Sequence, residues 1–248
     1  MRTPRFFCDQ PITTGSILRL DGPPAHHLKQ VLRRGVGDPV RLFNGQGGEF
    51  SALISSSSRH SVDLSILEFF PADREPRLQT HLGLALSKGD RMDWAVQKST
   101  ELGVSSITPL LSEHCDVRLP HDRQQKKREH WLRIARSACE QCGRNRVPAI
   151  EPIVRLTEWV TQQKVDLALD CDSQGAAIGP NGIAASAAAP CSLALLVGPE
   201  GGLSEEEILL SCNSGFRQTR LGPRTLRTET APLAMLSIAQ ALWGDLAV

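Results

Sequence analysis

Tyrosine is absent from the 248-residue sequence, and aromatic residues of all kinds amount to 4 %. A base-stacking platform of the RNA-recognition-motif type needs exposed aromatics, so recognition of that type is not expected. No run of eighteen apolar residues occurs, so no membrane span is expected. The opening stretch, Met1 to Asp9, is too short in apolar residues for a secretory signal, and charge follows at once. The seven cysteines are odd in number and lack disulfide-like spacing, which points to a reducing compartment and a cytoplasmic location. Only Cys139 and Cys142 form a C-x-x-C pair, inside a helical stretch and without a second metal-type pair. No metal is expected there; a metal site is the weaker alternative to two ordinary helix residues. Excess charge is missing too. The 28 Lys and Arg nearly match the 27 Asp and Glu, so this is not a globally basic polyanion binder.

What is present is an ordinary globular balance, with 40 % hydrophobic and 22 % charged residues, long enough to bury a substantial core. Basic residues cluster locally at Arg33-Arg34, from Arg123 to Arg128, and at Arg217, Arg220, Arg224 and Arg227. A local patch of this kind binds phosphates even when the total charge is near zero.

Residues 1–72 read as short strands with turn signals between them. Arg5 to Cys8, Ser16 to Leu20, Pro39 to Asn44, Glu49 to Ile54 and Val62 to Phe69 are the candidates. One helix, Ala25 to Arg33, interrupts them, and Gly45 to Gly48 marks a hairpin-like turn. So many short strands in so few residues predict a small β-barrel. Pro71 to Arg77, with two prolines, is the expected linker.

Residues 73–248 alternate between strand and helix. Strands are expected at His81 to Leu86, Ser106 to Leu111, Val165 to Asp170 and Ser192 to Val197. Helices are expected from Asp90, as cap, through Leu102; over His121 to Cys142; and over Leu156 to Gln163, with Thr157 as cap. Ala176 to Pro190 reads as a loop, and its Ala-rich part, 184–189, fits no motif. Alternation of this kind predicts an α/β domain with a mainly parallel sheet.

Two segments carry the chemistry. In the first, the apolar Leu195-Leu196-Val197 runs into Gly198-Pro199-Glu200-Gly201-Gly202. Leu203-Ser204-Glu205-Glu206-Glu207 then opens a helix, with capping-box spacing between Ser204 and Glu207. Open α/β sheets bind ligands at such carboxyl ends of strands. The Walker lysine and the G-x-G-x-x-G fingerprint are both missing, and three glutamates at a helix start repel a pyrophosphate. A phosphate-free cofactor such as S-adenosylmethionine fits this turn; a tight turn with no ligand is the alternative. The second segment is strand-like from Arg217 to Leu221, then polar from Gly222 to Thr230, then helical with Ala231, Met235, Ile238 and Leu242 on one face. Thr230 is the expected N-cap and Pro232 suits the first turn. Four arginines within eleven residues make an anion site the preferred reading over a solvated loop.

Leu196 to Ser204 and Leu221 to Ala231 resemble the two signature blocks of the ribosomal RNA small-subunit methyltransferase E family, within the SPOUT (α/β-knot) superfamily. Lys88 to Asp93, Lys98 to Val104, Glu140 to Arg144 and Gly244 to Leu246 are similar to the family as well. So are Pro4 to Phe7 and His26 to Arg33, and the resemblance covers nearly the whole chain. It implies a PUA-like β-barrel over 1–72 that binds RNA and a SPOUT domain with a trefoil knot over 73–248. It further implies a homodimer and S-adenosylmethionine-dependent methylation of uridine N3 in 16S ribosomal RNA within the small subunit. A SPOUT methyltransferase with another RNA target, or a non-catalytic ribosome-assembly factor, are the competing readings.

On that resemblance, Leu196, Val197, Gly198, Pro199, Glu200, Gly201, Gly202, Leu221, Gly222 and Leu226 are expected to hold the cofactor, with Leu196, Leu221 and Leu226 flanking its adenine. An arginine beside a sulfonium is repelled, so Arg224 and Arg227 are placed on the RNA side. Glu229 is the candidate base or base-orienting group, and its alternative role is to satisfy backbone N–H groups at the helix start; Glu200 is the alternative base, with bracing its loop as the preferred role. Arg2, Arg5, Arg33, Arg34, Lys88 and Arg91 are candidate RNA contacts, each with a solvated surface charge as its alternative.

Overall fold

Alternating burial organises the N-terminal strands. In the computed structural model, which describes residues 3–115, 120–179, 182–186 and 189–246, Leu18 and Leu20 point inward while Ile17, Arg19 and Asp21 point out. The chain divides into one unit of residues 1–75 with 139–147 and a second of residues 76–138 with 148–248.

The first unit contains β1 (Arg5–Phe7), β2 (Ile17–Asp21), β3 (Pro39–Phe43), β4 (Glu49–Ser57) and β5 (Ser61–Phe70). They form one sheet in the order β1-β3-β4-β5-β2, with β1 parallel to β3 and the other neighbours antiparallel. Its inner face holds Phe6, Leu18, Leu20, Leu28, Leu42, Ile54 and Leu64, each burial contributing about 2 kcal/mol. This is the barrel-like, PUA-like sheet the sequence predicts. The helix differs from its expected bounds of Ala25 to Arg33. An α-helical turn, α1 (Gly22–His26), starts earlier and continues as a π-helical turn over His27–Val31. Pro23 and Pro24 explain the early start, because proline is pre-set for a first turn and has no N–H to leave unpaired. The end comes before Arg33, whose φ of +52° lies in the left-handed region and breaks the helix.

The second unit runs through β6 (Gln79–Ala85), α2 (Arg91–Glu101), β7 (Ser106–Leu111), α3 (His121–Cys142), β8 (Ala149–Ile150), β9 (Val154–Arg155) and α4 (Leu156–Gln162). It continues through β10 (Leu167–Ala177), α5 (Ile183–Ser186), β11 (Ser192–Val197), α6 (Glu205–Asn213), β12 (Phe216–Arg220) and α7 (Ala231–Trp243). All strands are parallel, in the order β12-β10-β11-β6-β7-β8, with β9 also on β7. Leu156, Trp159 and Val160 of α4 pack with Leu110, Ala168, Ala194, Leu196 and Phe216, burying one sheet face. The last turn of α3 belongs to the first unit.

Local differences from expectation have local causes. Strand β10 reaches Ala177 rather than stopping at Asp170, because a bulge between Cys171 and Ala176 lets both pair with Thr219. Gly175 sits in that bulge, where a Cβ would lie 2.4 Å from the backbone of Gln218 and Thr219. The expected loop from Ala176 to Pro190 therefore begins inside a strand and contains α5. Asp90 and Thr230 occupy N-cap positions but make no side-chain cap, since both have near-helical backbone angles that turn the side chain away from the amides. Arg155, not Thr157, is the N-cap of α4. On α7 the buried face is Ala231, Pro232, Met235, Leu236, Ala239 and Gln240; Ile238 and Leu242, expected inside, are half-buried.

Candidate functional site

Three connections leave the carboxyl ends of β11, β12 and β6 in the second unit, on the same side of the parallel sheet. After β11, Gly202 donates its N–H to the Pro199 carbonyl (3.0 Å) and takes a φ of +75°, closing a tight turn. Ser204 then caps α6: its Oγ accepts from the Glu207 N–H (3.3 Å), while the Glu207 carboxylate accepts from the Ser204 N–H (3.1 Å). The other Glu207 oxygen accepts from the Glu113 N–H (2.9 Å), so this buried carboxylate also fixes the turn after β7. The capping box predicted from spacing is thus present, and it does double duty.

After β12, residues 221–230 form a polar loop. Gly222 has a φ of +109°, and the amides of Thr230 and Ala231 both donate to the Arg227 carbonyl, at 2.8 and 2.9 Å. That backbone bracing starts α7 where Thr230 was expected to act through its side chain. After β6, residues 87–90 lead into α2 and place Arg91 at its head.

These connections enclose a cavity of about 590 Å³, within the usual range for a small-molecule site. Of the residues expected to hold a cofactor, Val197, Gly198, Pro199, Glu200, Gly202, Leu221, Gly222 and Leu226 line it. Leu196 does not: it is fully buried in the core against α4. Gly201 does not either; it faces His114, whose Cβ lies 3.1 Å from where a Gly201 Cβ would stand. Arg224 and Arg227 line the cavity, whereas Glu229 stands behind it. Arg91 lines the cavity as well, its Nη1 paired with Glu200 Oε1 and its Nε 4.0 Å from Glu229 Oε2. Thr228 Oγ1 donates to Glu229 Oε2 at 3.4 Å.

Seven residues outside the expected set complete the lining, Arg220, Pro223 and Thr228 among them. Leu203 and Ala231 add apolar surface, Thr225 adds a hydroxyl, and Cys171 reaches in from the start of the β10 bulge. The strand-end rule that pointed to the other residues points to Cys171 too, but the bulge hides that end in the sequence.

The cavity selects by chemistry. Val197, Leu203, Leu221, Leu226 and Ala231 offer apolar surface suited to a flat ring. At the head of α6 the Glu207 amide is taken up by Ser204 and three glutamates disfavour an anion at that helix start, while Arg220, Arg224 and Arg227 give the cavity rim positive charge. A ligand without phosphates, with an apolar ring and a small polar end, fits such a lining.

The remaining candidates lie away from the cavity lining or outside the described residues. Arg2 is outside them. Arg5 is a correction: its side chain is 7 % exposed and turned inward, so it is no surface contact. Its guanidinium donates to Glu49 (3.2 Å), to the Cys139 and Arg144 carbonyls (2.8 and 3.2 Å) and to Asn145 Oδ1 (2.5 Å). Burial pushes its pKa down, and Glu49 offsets part of that. Arg33 is exposed, and Arg34 lies 4.0 Å from Asp38. Lys88, in the second unit, is exposed. Cys139 and Cys142 are free thiols, and burial raises that of Cys139 to about 12. Among the described residues no three His, Cys, Asp or Glu gather as a metal site, and no helix is long and apolar enough to cross a membrane.

Comparison with known proteins adds to this geometry. The RNA methyltransferase domain family matches residues 74–240, and the RNA methyltransferase PUA domain family matches residues 20–67. A ribosomal RNA small subunit methyltransferase E of Buchnera aphidicola is 34 % identical, covering 99 % of this chain and 98 % of its own. The solved structure of a Legionella pneumophila methyltransferase in complex with the bound cofactor SAM is 40 % identical, with a TM-score of 0.94 over 99 % of this chain and 100 % of that one. A ribosomal RNA small subunit methyltransferase E from Neisseria gonorrhoeae, bound to S-adenosyl methionine, is 35 % identical at a TM-score of 0.89, over 99 % and 100 %. A polar-rimmed cavity with an apolar wall at the end of a parallel sheet, a PUA-type sheet before it, and full-length relatives together make this chain a member of the ribosomal RNA small subunit methyltransferase E family.

Proposed function

We propose that this chain transfers a methyl group from S-adenosylmethionine to N3 of a uridine in 16S ribosomal RNA. The observation that carries this is the cavity at the ends of β11 and β12, with an apolar wall suited to a flat ring and arginines exposed on its rim. The bound cofactor supplies an electrophilic methyl group. The residues around it hold it in line and exclude water, and alignment of that kind supplies most of the rate in a displacement.

Uridine N3 is a poor nucleophile while it carries its proton, so a base must take that proton and cations must steady the charge on O2 and O4. Arg224 and Arg227, exposed on the cavity rim, are assigned to those oxygens or to a flanking phosphate. Glu229 is assigned to the proton at N3, directly or by orienting the group that takes it. Its contacts with Arg91 and Thr228 favour the orienting role. The target base must be unpaired or flipped out, because N3 lies within the Watson–Crick edge. In the first unit, exposed Arg33 is the assigned RNA contact, with Lys88 its counterpart in the second.

The proposal includes a trefoil knot in the second unit, a cytoplasmic location beside the ribosome, and a homodimer. The dimer draws on half-buried Ile238 and Leu242 of α7 and on exposed Leu209 of α6, apolar surface that a second copy would cover. Sedimentation at a monomer mass at micromolar concentration would remove the dimer.

The direct test is methyl transfer from labelled S-adenosylmethionine to unmodified 30S particles, followed by nucleoside analysis. 3-Methyluridine is expected. Label in another nucleoside moves the chain to a different RNA target, and no label with no cofactor binding leaves a non-catalytic assembly factor. For Glu229→Gln, turnover at saturating cofactor is expected to fall about 100-fold, while cofactor affinity falls no more than about fivefold through loss of the exposed pair with Arg91; unchanged turnover removes Glu229 from the chemistry.

A further inference from the structure

We propose that Arg91 is a latch: its ion pairs with Glu200 and Glu229 tie the two cavity-lining loops together and set how fast the cofactor leaves. This rests on the cavity holding S-adenosylmethionine. Arg91 would be a positioning residue, acting on the cofactor through the loops rather than through the reacting atoms.

The geometry points this way in three steps. Residues 198–202 and 221–230 are each braced within themselves, by Gly202 donating to Pro199 and by Thr230 donating to Arg227. Those bonds shape each loop but do not join one to the other. Arg91 does so: its Nη1 meets Glu200 on the first loop, and its Nε lies 4.0 Å from Glu229 on the second. A planar guanidinium can face two carboxylates at once, whereas an ammonium on a single stem serves them less well.

A latch also needs a fixed post. The first turn of α2 is held from α3. Asp93 accepts from the Trp131 indole N–H (3.0 Å), and its other oxygen is 2.6 Å from His130 Nε2. Met92, between Arg91 and Asp93, is buried. So the backbone carrying Arg91 is anchored while the loops it grips are held at their rims.

The size of the effect follows from exposure. The side chains of Arg91, Glu200 and Glu229 are 38, 43 and 19 % exposed, so each pair is screened by water and modest in strength. Modest pairs suit a gate that must open every turnover, because opening breaks them and the loss appears mainly in the dissociation rate.

The test measures dissociation of tritiated S-adenosylmethionine from the full chain, chased with unlabelled S-adenosylmethionine. Arg91→Ala is expected to release it about fivefold faster, and Arg91→Lys at an intermediate rate. Arg91→Ala combined with Glu200→Gln should be no faster than Arg91→Ala alone, since the pair is already broken. Melting temperatures of the ligand-free variants should match the unsubstituted chain, which a merely structural role would not allow. A wild-type dissociation rate in Arg91→Ala overturns the latch. Should that variant fail to fold, a wild-type rate in Arg91→Lys overturns it equally. Independent effects of the two substitutions overturn it as well. An unsubstituted chain that binds no S-adenosylmethionine overturns the methyltransferase reading itself, a result distinct from any of these.

Discussion

The two units use arginine in opposite ways. In the first unit Arg5 and Arg144 are buried, and nearly every donor faces a protein acceptor. Arg144 Nε and Nη2 donate to Glu75 Oε2 at 2.8 and 2.6 Å, and the other Glu75 oxygen accepts from the amides of Asn145 and Arg146. Together with the bonds of Arg5, these tie residues 139–146 to β1, β4 and the segment at Glu75. In the second unit Arg220, Arg224 and Arg227 stand exposed around the cavity, with no ion-pair partner among the described residues. An arginine whose donors are consumed by its own protein is architecture. One whose donors face a cavity is available to a substrate. Arg91 is the intermediate case, paired yet at the cavity wall.

The largest effect expected from this contrast is on stability. Arg5→Ala should cost about 3–5 kcal/mol, because it removes the nearest of the arginines paired with Glu49 and takes their donor from the Cys139 and Arg144 carbonyls and from Asn145 Oδ1. Urea unfolding measures that loss, and S-adenosylmethionine binding by the folded fraction should not change. A stable Arg5→Ala variant with weakened RNA binding would break the comparison, since Arg5 would then behave as a cavity arginine does.

Arg227→Ala should do the reverse. Its removal is expected to lower kcat/KM on 30S particles about 100-fold, with stability within about 0.5 kcal/mol of the unsubstituted chain. A variant that unfolds readily, at unchanged kcat/KM in the folded fraction, would place Arg227 with Arg5.

The same contrast marks what was legible in the sequence. Strand and helix patterns are local, so the parallel sheet, the five-stranded sheet and the bounds of β11 and α3 could be read from period and turn chemistry. The capping box was legible because both partners lie within four residues. The burial of Arg5 was not, because its acceptors lie 44 to 140 residues away in sequence. Leu196 belonged to the right strand end but to its core side, and one-residue alternation in a strand buried on both faces leaves no polar mark. The length of β10 was hidden by a bulge built on Gly175, a residue that reads as a loop signal. Arg91 and its two partners come from three separate connections that only the sheet order brings together.

A smaller effect tests the polar network that the second unit does close. Ser204→Ala should cost about 1 kcal/mol by freeing the Glu207 amide. The bond from the Glu113 N–H to Glu207 should persist, so the turn after β7 stays in place. Thermal unfolding with and without sulfate checks this. Sulfate protection that appears only in the variant would show that capping is what keeps anions off α6. Protection already present in the unsubstituted chain would undo the argument for a phosphate-free ligand.

Arg33 gives the smallest and most discriminating effect, because it sets the two uses of arginine against each other at one position. Its left-handed backbone costs about 1–2 kcal/mol for a residue with a Cβ. Glycine relieves that strain but adds about 0.5–1 kcal/mol of chain entropy in the unfolded state. Arg33→Gly should therefore gain only about 0.5 kcal/mol. An arginine in a strained backbone, exposed and without an ion pair among the described residues, leaves room for something other than stability. If that something is an RNA phosphate, Arg33→Gly weakens binding to 30S particles and lowers the slope of log K against log salt by about 0.7–0.9. Equal salt slopes with raised stability would mean that Arg33 touches no phosphate, and the RNA contacts of the first unit would have to be sought on another face.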